Sequence, residues 1–298
     1  GWVVNTSSGV DIEISGSSQA IEQFVTRLKQ EPPLLAHIDG MDIQQIPPST
    51  LSKFSIRESI PLSGEYIPIS PDVTICPDCR RELFDPSNRR FRYPFINCTN
   101  CGPRFTIIKD IPYDRPLTTM SGFEMCPSCR DEYQDPSDRR FHAQPTACPV
   151  CGPTIHFASR LSSSKGEDAL QQARSLLAQG KILAVKGLGG YHLACDAMNS
   201  DAVERLRDRK KRSDKPFALM SFNIEGIARF VHVSEEELKL LDSPQHPVVL
   251  LKKRTGNTLL DATAPHQNHL GFMLPYTPLH LLLLESAPGY PEVLEMTS

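Results

Sequence analysis

The chain has 298 residues, a formal net charge of −3 and 39% hydrophobic residues. This is ordinary for soluble globular protein, and the length predicts two or three domains. The charge gives no general case for nucleic acid or an anionic membrane as partner, and no run of 18 apolar residues exists to cross a bilayer.

Gly1-Trp-Val-Val-Asn5 does not read as a secretory signal. It runs into a Thr6–Gly9 turn, after which Val10 to Ile14 alternates like a half-buried strand. Ser17 precedes a helical pattern with Ala20, Ile21, Phe24, Val25 and Leu28 on one face, stopped by Pro32-Pro33. Leu34 to Ile46 is expected to add a last strand. Thr50 to Pro71, polar and proline-containing, reads as a linker.

Next come four Cys-x-x-Cys pairs, Cys76/Cys79, Cys98/Cys101, Cys126/Cys129 and Cys148/Cys151, separated by 18, 24 and 18 residues. The stretch is a direct repeat with a period of 50 residues. Cys76-Pro-Asp-Cys79-Arg matches Cys126-Pro-Ser-Cys129-Arg, and Asp85-Pro-Ser-Asn-Arg-Arg-Phe91 matches Asp135-Pro-Ser-Asp-Arg-Arg-Phe141. Two such pairs 15–20 residues apart form a four-thiolate zinc site. Two structural Zn2+ therefore account for eight of the nine cysteines. With four thiolates and no open coordination position, each metal stabilises the fold rather than performing chemistry. The repeat favours pairing within each copy; a crossed pairing, outer with outer and inner with inner, is also possible. Paired thiols without export point to a reducing cytoplasm, the expected location. Arg80 to Asp85 and Arg130 to Asp135 read as single helical turns stopped by Asp-Pro. Arg89/Arg90 and Arg139/Arg140 are expected to anchor loops through carboxylates or carbonyls. His142 and His156 are expected in loops or core, not as ligands.

Leu161 to Gly166 reads as a flexible joint. Beyond it, helices around Leu170 and Ala202 to Leu206 alternate with strands at Ile182–Val185, Phe217–Ser221 and Val248–Leu251. A capping box at Ser234/Glu237, an apolar helix from Pro278 and a strand from Val293 follow. Ile182–Val185 reads as a buried strand that empties into Lys186-Gly187-Leu-Gly189-Gly190-Tyr-His192. Glycines let backbone amides approach an anion there, and Lys186 adds charge. The basic run ending in Lys210-x-Arg212-x-x-Lys215-Pro216 suits a polyphosphate. Cys195 reads as a small buried residue.

Three stretches resemble known families. Gly1-Trp-Val-x-Asn5, Gly9-Val-x-Ile-x-Ile14 and the helix with Phe24 and Leu28 resemble the second half of acylphosphatase. In that family Asn5's counterpart orients the attacking water, and a phosphate-holding loop and Arg come earlier in the chain. No acylphosphatase activity is therefore expected from this chain. Gly180-Lys-Ile-Leu-Ala-Val with Tyr191-x-Leu-Ala-Cys-Asp-Ala197, Lys210-x-Arg212 and Lys215-Pro216 resembles the YrdC/Sua5 domain, with Lys186–Gly190 standing where that family has Pro-Thr-x-Thr. Together with the doubled cysteine unit, this is similar to the HypF family, the carbamoyltransferases of [NiFe]-hydrogenase maturation.

The resemblance implies an α+β multidomain chain. Residues 1–60 would be a truncated ferredoxin-like acylphosphatase remnant, 61–157 a tandem zinc-binding domain, and 158–298 an incomplete YrdC-like α/β domain. It also implies that the chain is an internal piece of a longer protein, weak or inactive alone. The whole protein would convert carbamoyl phosphate and ATP, with Mg2+, to carbamoyl-adenylate, and pass the carbamoyl group to the terminal cysteine of HypE. Lys210, Arg212 and Lys215 would neutralise ATP phosphates. Lys186, Gly187, Gly189, Gly190 and His192 would hold the carbamoyl group, and Thr297 and Ser298 are the last site residues present. Partners would be HypE, carbamoyl phosphate and ATP, without membrane or nucleic acid. Two other readings stand beside it: a zinc-dependent interaction module, and a threonylcarbamoyl-adenylate synthase of tRNA modification.

Overall fold

The computed structural model describes residues 1–298 apart from 7, 33–34, 37, 48–52, 61–68, 257–258 and 260. The described residues group into two compact units, Gly1–Pro71 with Ile107–Gly122, and Asp72–Thr106 with Phe123–Ser298. Among them no helix is long and apolar enough to cross a membrane.

In the first unit, β1 (Trp2–Asn5) pairs antiparallel with β2 (Val10–Glu13), with Trp2 opposite Glu13. The indole Nε1 of Trp2 donates to the Glu13 carboxylate at 2.9 Å. Helix α1 (Ser18–Gln30) starts where the Ser17 hydroxyl accepts from the amide of Ala20. Its predicted apolar face is present, but no α1 residue is buried and Ile21, Phe24, Val25 and Leu28 are half-exposed. The expected last strand lies elsewhere. The described residues between 35 and 47 are irregular, and β3 (Ser55–Ile56) instead pairs parallel to β1. Ladder pairing decided this: Ser55 and Arg57 donate to the carbonyls of Gly1 and Val3, needs that an apolar count does not register. Part of the expected linker is thus strand. Its residues 50–52 and 61–68, Leu34 at the head of the expected strand, Pro33 of the helix stop and residue 7 of the first turn lie outside the described residues.

In the second unit each cysteine repeat opens on a helix, α2 (Pro77–Phe84) and α3 (Pro127–Gln134). Each runs about two turns, longer than the single turn expected, because proline at the first helical position lets the helix begin directly after the first cysteine. Each ends at the predicted Asp-Pro, where Asp85 and Asp135 accept from the amide and hydroxyl of Ser87 and Ser137 at 2.9 and 2.7 Å. The expected flexible joint is ordered: β4 (His156–Ala158) and β5 (Ser163–Lys165) form a hairpin leading into α4 (Gly166–Ala178). Ser159 and Ser162 bond across its turn, so serines that read as flexible act as turn formers.

A six-stranded sheet follows. Its strands are β6 (Leu183–Lys186), β7 (Tyr191–Asp196), β8 (Ala218–Ser221), β9 (Val249–Lys252), β10 (His269–Met273) and β11 (Val293–Thr297), in the order β6-β7-β11-β8-β10-β9. Between them lie helices α5 (Ser200–Arg209), α6 (Ile224–Ala228), α7 (Glu235–Leu241) and α8 (Pro278–Leu283). Only β8 and β10 run parallel; the other neighbours are antiparallel. β11 lies between β7 and β8 with all five residues buried. The expected buried strand β6 is an edge strand with only Val185 buried, since an edge strand has a partner on one side alone. Leu219, Phe230, Leu251, Phe272 and Val293 anchor one apolar cluster, and Val203, Leu206 and Phe217 another. The zinc-repeat part packs on this domain: Thr74 donates its amide to the Pro244 carbonyl at 3.0 Å, and Arg92 pairs with Glu167 and Glu285.

Candidate metal centres and anion site

The eight paired cysteines form two clusters, Cys76/Cys79/Cys98/Cys101 and Cys126/Cys129/Cys148/Cys151, with sulfurs within 4.8 Å of one another in each. Cys98 Sγ lies 3.6 Å from Cys76 Sγ and 3.8 Å from Cys101 Sγ. In the second cluster, Cys148 Sγ is 3.8 Å from both Cys126 Sγ and Cys151 Sγ. These separations are far too long for disulfides. They match the edge of a tetrahedron with Zn–S arms of about 2.3 Å, roughly 3.8 Å. The donors therefore fit zinc, and pairing within each repeat is the arrangement found. His142 joins neither cluster and stacks on Tyr133 at 5.0 Å.

Two glycines close the knuckles for different reasons. Gly102 sits at φ +92°, a backbone state that disfavours side chains. At Gly152 a Cβ would lie 2.1 Å from the Tyr93 hydroxyl and 2.5 Å from the Ala147 Cβ, so there the need is space.

The paired arginines bind carboxylates and carbonyls as expected, but they do so across the repeats. Arg89 and Arg90 both reach Glu132, and Arg139 and Arg140 both reach Glu82. Arg90 Nε donates to the Ala147 carbonyl at 2.8 Å, and Arg140 Nε to that of Asn97 at 3.2 Å. Arg89 also donates to Cys129 Sγ at 2.8 Å, and Arg139 to Cys79 Sγ at 3.1 Å. Each of these contacts has its copy 50 residues on, as a two-fold relation between repeats requires. Each repeat thus supplies the cations around the other's thiolate cluster. Burial alone would raise Glu132, but the hydrogen bond and charge of Arg90, with Arg89, outweigh it and hold the carboxyl below its ordinary range. Glu82 behaves likewise through Arg139 and Arg140.

The predicted anion-site residues lie toward one end of the six-stranded sheet, with Lys186 and Thr297 on the face of Tyr191 and Leu193, and His192 on the other. Lys186 pairs with Tyr191 across the β6–β7 hairpin, and Thr297 of β11 lies opposite Leu193, next to His192. The glycine-rich segment is the turn of that hairpin, with the Gly187 amide donating to the Gly190 carbonyl at 2.8 Å. No helix follows it, so it is not a helix-terminus anion cradle. Arg212 bonds the Thr297 hydroxyl at 2.8 Å, the Lys215 carbonyl at 2.9 Å and the Pro216 carbonyl at 2.6 Å. Lys210 Nζ donates to the Ser298 carbonyl at 2.5 Å. Lys186 and Lys215 are exposed, with the Lys186 ammonium 5.1 Å from the centre of the Tyr191 ring.

The sequence reading missed three contributors. Arg207 binds the carbonyls of Ala262, Arg212 and Ser213 and so builds the basic loop. Glu295, in the middle of β11, is pushed up to about 7 by burial, partly offset by Thr263, Arg207 and Arg212. Tyr276 places its hydroxyl 3.0 Å from His192 Nε2. Arg207 was legible only as one more charge in a basic run, and Tyr276, 84 residues from His192, carried no sequence signal. Burial, with the charge of Glu295 adding, pushes the Cys195 thiol up, which suits a packed residue and not a nucleophile. Asn5, in the first unit, ends β1 with an exposed side chain, and its carbonyl accepts from the Ile60 amide.

Family models match three stretches: "Acylphosphatase" over 1–56, "HypF finger" over 75–108 and 125–157, and "Telomere recombination", the Sua5, YciO and YrdC group, over 175–298. The chain is 48% identical over 96% of its length to carbamoyltransferase HypF of a Synechocystis species, and 47% identical over 98% to carbamoyltransferase HypF2 of Cupriavidus necator. It covers 37% of the length of each. A crystal structure of full-length HypF in a phosphate- and nucleotide-bound form superposes on the whole chain with a TM-score of 0.92 at 45% identity, and the chain covers 38% of it. Matching domain order, nearly half of all residues shared and a common backbone together mean that this chain belongs to the HypF carbamoyltransferase family.

Proposed function

We propose that the sheet-end site binds ATP and a carbamoyl donor and forms carbamoyl-adenylate, which then carbamoylates the terminal cysteine of HypE for cyanide-ligand synthesis in hydrogenase maturation. What supports this reading is that Lys186, the hairpin glycines and His192 lie at the same end of the sheet as an Arg212 already fixed on Thr297. A guanidinium has five N–H donors. Arg212 spends three on Thr297, Lys215 and Pro216. Two remain for phosphate oxygens, on a group that need not reorganise as charge develops.

Carbamoyl phosphate is first hydrolysed by water to carbamate and inorganic phosphate; in the first step at this site a carbamate oxygen attacks the α-phosphorus of ATP. The bond to the β-phosphate oxygen breaks and pyrophosphate leaves with that electron pair. Lys210, Arg212 and Lys215 neutralise the phosphates, and a Mg2+ bound with ATP would add positive charge there. Lys186, the amides of Gly187, Gly189 and Gly190, and His192 hold the carbamoyl oxygens. In the second step the HypE thiolate takes the carbamoyl carbon, and AMP leaves with the oxygen. The zinc sites hold the scaffold and take no part in either step. Asn5 takes no part in the adenylation or in the transfer to HypE.

The test is carbamoyl-phosphate-dependent exchange of labelled pyrophosphate into ATP, run on this chain and on the chain extended to the length of its relatives. Exchange that falls at least tenfold in Arg212→Ala and Lys186→Ala supports the reading. Exchange that requires threonine and bicarbonate refutes it.

A further inference from the structure

Beside the glycine-rich hairpin lies a cluster of rings that the sequence does not announce. The Tyr276 hydroxyl and His192 Nε2 are 3.0 Å apart. His280 of α8 packs edge-on against Tyr276, with ring centres 4.6 Å apart, and against His192 at 6.3 Å. The pair is pressed against the hairpin: a Cβ on Gly187 would meet the Tyr276 hydroxyl at 2.9 Å and the His192 ring at 3.1 Å. His280 is 1% exposed, and neither of its ring nitrogens has a hydrogen-bond partner among the described residues. It therefore does not compete for the Tyr276 hydroxyl, which is directed to His192.

A neutral imidazole carries one N–H, and the hydrogen bond made by one ring nitrogen decides which nitrogen holds the proton. All three rings are uncharged at neutral pH. Burial lowers His192; burial, with His192 beside it, takes His280 down to about 3; burial raises Tyr276 to about 12. Tyr276 then keeps its proton and can donate it.

Resting on the reading above, we propose that Tyr276 is a positioning residue: its hydroxyl donates to His192 Nε2, and so holds His192 as the Nδ1–H tautomer that donates to the oxygen of the bound carbamoyl group. Gly187 is glycine because this pair occupies the space of a side chain. His280 backs the phenol without diverting its proton.

The test combines Tyr276→Phe, which keeps the ring packing and removes one oxygen, with 15N NMR of the histidine side chains. In the wild-type chain His192 should show an unprotonated Nε2 and a protonated Nδ1; in Tyr276→Phe it should show a mixture. In pyrophosphate exchange Tyr276→Phe should lower kcat about 10- to 100-fold with little change in KM for ATP. A wild-type His192 protonated at Nε2 overturns the proposal, as does a Tyr276→Phe chain with unchanged tautomer or unchanged kcat. Absence of carbamoyl-phosphate-dependent exchange from the wild-type protein sinks the functional reading instead, and the tautomer measurement still decides whether Tyr276 orients His192.

Discussion

Replacing Glu132 with Gln would test whether the crossed arginines hold the two zinc repeats together. Glu132 receives Arg89 and Arg90, and the Arg90 side chain is 2% exposed while that of Glu132 is 20% exposed. At an effective dielectric of about 20, one charge pair 4 Å apart is worth about 4 kcal/mol. Removing one member of a buried pair strands the other and costs about 3–5 kcal/mol. Partial exposure of Glu132, and the partners Arg90 keeps on Ala147 and Cys129, place this case near 3 kcal/mol. For a domain this size that lowers Tm by roughly 6–12 °C. The loss should be asymmetric. Arg89 and Arg90 also donate to Cys129 Sγ, so zinc should leave the second site first under chelator. Glu82→Gln should reverse the order, through Arg139 and Cys79. The assay is chelator-driven zinc release followed by a coloured indicator, beside a thermal melt. An unchanged Tm, or equally faster release from both sites in Glu132→Gln, would refute the reasoning. Acid gives a further check. Because the folded-state pKa of Glu132 is depressed, its contribution is complete above the ordinary carboxylate value of about 4.3 and is lost as pH falls through the folded value. The stability gap between wild type and Glu132→Gln should therefore close below about pH 4.

Two further outcomes follow from the same geometry. Cys79→Ser should reduce bound zinc from two per chain to one, whereas Cys195→Ala should retain both, since Cys195 belongs to neither cluster; metal analysis of the purified chains decides this. Gly152→Ala should destabilise the second knuckle by about 1–3 kcal/mol, because Tyr93 and Ala147 already fill the site; in Gly152→Ala/Tyr93→Phe, which removes the hydroxyl 2.1 Å from the new Cβ, a thermal melt should recover part of that loss.

The sequence was most legible where chemistry is local. Cys-x-x-Cys spacing and a 50-residue period specify thiolate clusters whatever surrounds them, because the ligands sit in short turns that the chain closes by itself. Helix α4 and the Ser234/Glu237 capping box were equally readable, since both are short-range hydrogen-bond and periodicity signals. What the sequence could not show depends on which distant groups a fold brings together. β3 came from a stretch read as linker, because a two-residue strand is defined by the neighbour it bonds and not by its own pattern. Lys186 to Gly190 reads as an anion loop, yet only the sheet makes it a hairpin turn facing Tyr276. Arg89, Arg90, Arg139 and Arg140 are visible as basic pairs. That each pair crosses to the other repeat's glutamate and thiolate follows from the two-fold packing of the copies, and that packing satisfies cations and sulfurs which neither copy could satisfy alone.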